Sequence, residues 1–98
     1  MNQVIVSLDK DYNLQDVSEV LNSMFHEKLN FAQYKVDKYK DLCSEFEKKH
    51  KIDSEQFLNK FENGETGDDA DYFNWFAAKK GLDLWTKKLS ILKSASIK

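Results

Sequence analysis

Two rows of apolar residues at heptad spacing constrain this chain more than any other feature. The first is Leu29, Ala32, Val36, Tyr39, Cys43 and Phe46; the second is Trp75, Ala78, Leu82, Trp85, Leu89 and Leu92. Such a row, stepping alternately by three and four, is one face of an α-helix and must pack against another apolar face. Two rows with a short segment between them predict an antiparallel helical pair. Ninety-eight residues hold one core, so residues 1–98 are expected to form a single, mainly α domain.

Local signals mark the elements. Val4-Ile5-Val6-Ser7-Leu8 is β-branched and followed by turn-formers, which predicts a short N-terminal strand or arm within residues 1–12. A helical pattern covers 14–49. Its apolar face starts with Val17, Val20, Leu21, Met24 and Phe25, then shifts near His26–Asn30, where a stutter, a bend or a break into two helices is expected. Lys48, Lys49, His50 and Lys51 close this segment with charge that suits a helix C-terminus. A short helix over 53–63 follows, with Asp53 as N-cap, Gln56 three residues on, Ile52 and Phe57 as a staple, and Gly64 as the terminator. The last helix spans 69–93, and Asp68, Asp69 and Asp71 fall at its start, where the dipole favours acids.

Catalytic constellations are scarce. His26 and His50 stand alone, no cysteine or histidine lies at metal-ligand spacing, and no glycine-rich phosphate loop or nucleophile elbow occurs. The acids Glu62, Glu65, Asp68, Asp69 and Asp71 do not follow the calcium-loop order, since Gly67 precedes the aspartates. Cys43 is the single cysteine and falls on an apolar seam, so it reads as a small core residue. We therefore expect no enzyme activity, no cofactor and no metal. No apolar run approaches the roughly 20 residues of a membrane span, and the N-terminus lacks the features of a signal peptide. A cytoplasmic location is the expectation.

The last helix has more apolar surface than one neighbour can cover. At about 100° per residue, Phe73, Ala77, Leu84 and Ile91 form a second stripe roughly 135° from the heptad row. Gly81 lies between the two and leaves room for a close approach. Tyr72 and Phe76 point towards the remaining face. Either the segment Phe57–Gly67 folds back over them, or they anchor a partner, as aromatic residues do in interface hot spots. Charge is also uneven: residues 72–98 carry six lysines and one acid, and the rest of the chain is acidic. This suits either contacts between molecules or a solvated helix face.

The stretch Ser54–Trp85 contains Phe57, Lys60-Phe61-Glu62, Gly64, Gly67-Asp68-Asp69 and Phe73-Asn74-Trp75. This pattern, strongest over Phe57–Ala78 and about a third of the chain, resembles a group of small archaeal and bacterial antitoxin-like or uncharacterised proteins. The resemblance implies a role beside a toxin or nuclease, neutralised by direct binding, and names no catalytic residue. On that reading Tyr72, Phe73, Trp75, Phe76 and Trp85 would be the partner's anchors, and Asp68, Asp69 and Asp71 would face basic residues. Two alternatives remain: a dimeric nucleic-acid binder of ribbon-helix-helix type built on the N-terminal strand, and a structural homo-oligomer. The complete lack of arginine weighs against reading of bases, because arginine makes the commonest contact to guanine.

Overall fold

The computed structural model describes residues 7–95, in which three helices follow one another: α1, Leu14–His50; α2, Ser54–Glu62; and α3, Ala70–Ser94. The strand expected at Val4–Leu8 lies outside the described residues except for Ser7 and Leu8, which are in no regular element. The long dimension, 59 Å against 23 and 21 Å across, is the length of α1, since 37 residues rise about 55 Å at 1.5 Å each.

α1 is one continuous helix, without the break allowed near His26–Asn30. Its sequence holds neither proline nor glycine, so nothing interrupts the hydrogen-bond ladder. The change of spacing is a run of fours, Val17, Leu21, Phe25 and Leu29, before the alternation of three and four begins, and slight unwinding absorbs it. Asn13 caps the start, its side chain accepting from the Gln15 N–H at 2.8 Å. The end is less usual. Lys51 takes the left-handed conformation (φ 60°) while its N–H donates to the Glu47 carbonyl, a geometry that ordinarily favours glycine.

Asp53 caps α2 as expected, accepting from the Gln56 N–H at 2.8 Å. Gly64 (φ 73°) ends it in a Schellman turn: its N–H donates to the Phe61 carbonyl, and that of Glu65 to the Lys60 carbonyl. Asp69 caps α3 through the Asp71 N–H at 2.8 Å.

α1 and α3 form the antiparallel pair, placing Phe46 beside Trp75, Tyr39 beside Gly81 and Phe31 beside Trp85. α2 folds back against both at the loop end. There lies the core of Cys43, Phe57, Trp75 and Ala78, flanked by half-buried Tyr39, Phe46, Ile52, Phe61, Tyr72, Phe76 and Leu82. Farther along the pair, among the described residues, the buried hydrophobic side chains are Ala32 and Leu89. Gly81 does permit a close approach, though by a side chain: a Cβ there would stand 2.8 Å from the ring of Tyr39.

Candidate functional site

The aromatic and acidic residues of 68–85 divide among three surroundings. Trp75 sits at the centre of the core with no exposed surface. Its ring stacks on Phe57 at 3.9 Å and on Phe46 at 5.7 Å, and His50 lies 5.4 Å away. The Nε1–H donates to Ser54 Oγ at 2.9 Å, so its one polar atom is satisfied within the chain. Trp75 is therefore no surface anchor. The heptad row that contains it already pointed inward, and the partner role assigned to it is corrected accordingly.

Ser54 holds this junction together. It is buried at the first turn of α2, its hydroxyl receives Trp75 from α3, and its backbone N–H donates to Glu47 Oε2 of α1 at 2.7 Å. Sequence reading passed over it, because a serine after an aspartate cap reads as an ordinary first-turn residue. The neighbouring Cys43 is buried, and desolvation pushes its thiol above the ordinary range, against a weaker opposing pull from Ser54. A protonated, buried thiol is a poor nucleophile.

Lys79 is the second polar residue that sequence reading missed. It is only 7% exposed, on the α3 side that faces α2, and its ammonium reaches both Asp83 (2.8 Å) and Glu55 of α2. Burial pulls its pKa down, but hydrogen bonds to Asp83 and Glu55 outweigh that and leave it above the ordinary lysine range. Glu55 and Asp83 are both more than half exposed. The cluster thus ties α2 to α3 at a partly solvated edge.

The three aspartates have different tasks. Asp69 is the N-cap of α3. Asp71 is bound from α1 by Lys49 and by His50 Nε2 at 3.2 Å; the hydrogen bond from Lys49, then that from His50, hold its carboxyl below the usual range. Asp68 is exposed. The segment running back from Phe57 half-buries Tyr72 and Phe76, with Phe57 5.8 Å from Tyr72 and Phe61 stacked on Phe76 at 4.7 Å. Trp85 is half-buried farther along α3, edge-on to Phe31 at 5.3 Å with Lys88 over its ring. Of the eight residues singled out, Asp68, Asp69 and Phe73 remain exposed.

The outward stripe of α3 is the exposed apolar feature on this helix. Phe73, Leu84 and Ile91 are each more than half exposed and lie within about 20° of one another at 100° per residue. Among the described residues no three or more His, Cys, Asp or Glu side chains come together as a metal ion would require. No helix there is long and apolar enough to cross a membrane. No family model matches the chain, and no curated protein or solved structure matches it either.

Proposed function

We propose that this chain is a non-catalytic protein-binding module of antitoxin type, which neutralises a toxin or nuclease by covering it. One observation carries the reading: the stripe Phe73, Leu84 and Ile91 on α3 stays in solvent although it is apolar. Scattered apolar residues are normal on a surface, but a straight row on the back of a helix is what a partner's groove takes up. Asp68 and Asp69 stand exposed at the N-terminal end of the same helix, where they would meet basic residues of such a partner. The antitoxin-like pattern over Phe57–Ala78 supports the same assignment, although most of its aromatic residues build the junction of the three helices and only Phe73 extends outward.

The test is affinity capture of the tagged protein from its native cells with nuclease added, followed by mass spectrometry, and repeated with Phe73→Ala and Leu84→Ala. A stoichiometric toxin-like protein, lost with either substitution while the helical circular dichroism is unchanged, is the expected result. A hot-spot residue contributes about 2 kcal/mol or more, enough to remove the partner from such a preparation. Capture that is indifferent to both changes would remove α3 from the binding surface. Recovery of the bare chain would sink the antitoxin assignment.

A further inference from the structure

A second exposed row runs along α1, on the side away from α2. Val20, Met24, Phe31 and Leu42 are 60, 56, 44 and 36% exposed and fall within about 40° of one another at 100° per residue. Glu47, which meets α2, lies about 160° away on the same wheel. The α1–α3 pair is therefore capped by α2 on one side only, and only at its loop end. A lone pair of helices is a poor core, whereas two pairs stacked face to face make a four-helix bundle.

Reversed about Phe31, the row matches Val20 with Leu42 and sets Met24 against Lys38. Val20, Phe31 and Leu42 stand 11 residues apart, three turns, so they keep almost one azimuth. Four residues to either side of Phe31 stand opposite charges, Glu27 and Lys35. We infer that this row is the contact of a homodimer in which two α1 helices pack antiparallel about a two-fold axis at Phe31. Phe31 then meets its own copy, Val20 meets Leu42, and Glu27 meets Lys35, each of the last two twice. Met24 lies over the aliphatic stem of Lys38. A two-fold contact must be complementary to itself under reversal, a condition that a foreign partner does not impose and this row meets. The half-buried edge of Trp85, packed on Phe31, would be covered in the same contact.

The span from Val20 to Leu42 is about 33 Å, and one helix width of about 10 Å gives a face of roughly 330 Å² per copy, before the edge of Trp85 is added. This is less than half of the roughly 800 Å² of a standard stable interface. The dimer should accordingly dissociate on dilution.

Sedimentation equilibrium of the full chain over about 1 to 500 µM, a range chosen to bracket micromolar dissociation, tests this. The mass should rise from the monomer's 11.5 kDa towards twice that value. Phe31→Glu sets like charges against each other on the axis and should weaken the dimer by on the order of thirtyfold or more. Because that change also removes packing on Trp85, a charge exchange gives a second reading; Lys35 itself lies over the Phe31 and Trp85 rings at 5.5 and 6.0 Å, so the double exchange and not the single change is decisive. Glu27→Lys alone and Lys35→Glu alone should each weaken association, and the double exchange should restore it. The two side chains are about 12 Å apart along one helix, so they do not pair within one chain and restoration reads the contact between copies. A monomer throughout the range, whether the row is then covered by the chain's own first residues or by another protein, overturns the proposal. So does a dimer that ignores Phe31→Glu or is not restored by the exchange.

Discussion

The rings of Phe57 and Trp75 lie face to face, with their planes 2° apart and centroids 3.9 Å apart, and neither has any exposed surface. Phe57 comes from α2 and Trp75 from α3, while Phe46 of α1 stacks on the same indole at 5.7 Å. One side chain is thereby shared by three helices. The loop end of the molecule depends on it, and α2, at nine residues, is too short to be stable without such packing.

Trp75→Ala should accordingly lower stability by about 3–5 kcal/mol, the usual range for emptying a large aromatic site. Urea unfolding followed by circular dichroism measures this. A loss under about 1 kcal/mol would mean that the site collapses freely, and the shared-ring account would fail.

The Ser54 hydroxyl accepts the buried Trp75 N–H, so Ser54→Ala strands a donor and should cost about 1–3 kcal/mol. Trp75→Phe removes that donor. In its background, the further change Ser54→Ala should cost distinctly less, and the double-mutant cycle isolates the bond. Equal costs in the two backgrounds would mean that Ser54 acts through packing alone.

What could be read beforehand came from signals carried by few residues at a time. Asp53 and Gly64 specify a cap and a turn by their own chemistry, and the two heptad rows specify their inward faces; five of their members, Ala32, Cys43, Trp75, Ala78 and Leu89, are buried. Ser54 and Lys79 were not legible because their burial exists only once α2 lies against α1 and α3, and a polar residue on a helix otherwise reads as solvated. Trp75 carried two conflicting signals, its row and its aromatic neighbours; the row was the physical one, since it states which way the side chain points. The continuity of α1 was obscured by weighing a change of spacing more heavily than the absence of any helix breaker.

Asp71 gives the protein a pH dependence of known sign. Its folded pKa is depressed, by Lys49 first and His50 second, below the unfolded value of about 4. The ionised carboxylate therefore stabilises the fold above that value for as long as Lys49 keeps its proton, and the contribution is lost as pH falls through the folded pKa. Denaturant midpoints recorded from pH 6 down to pH 2 should fall more steeply below about pH 4 than those of Asp71→Asn. Parallel profiles would show that the bonds to Lys49 and His50 add nothing to stability in solution.

Gly81 and Tyr39 make the most discriminating pair. Alanine inside a helix is ordinarily better than glycine by roughly 0.5–1 kcal/mol. Here the added Cβ would lie 2.8–2.9 Å from three carbons of the Tyr39 ring, and forcing such an overlap costs about 1–3 kcal/mol. Tyr39 is half-buried against the core cluster, so moving its ring disturbs that packing. The clash outweighs the propensity, and Gly81→Ala should destabilise the protein by about 1 kcal/mol. In a Tyr39→Ala background the three atoms nearest the new methyl group are gone, and the same substitution should stabilise by about 0.5 kcal/mol or more. Thermal or urea unfolding of the four proteins reads the reversal of sign. A stabilising effect in both backgrounds would show that the ring yields without cost, and the close approach of α1 to α3 would then owe nothing to glycine.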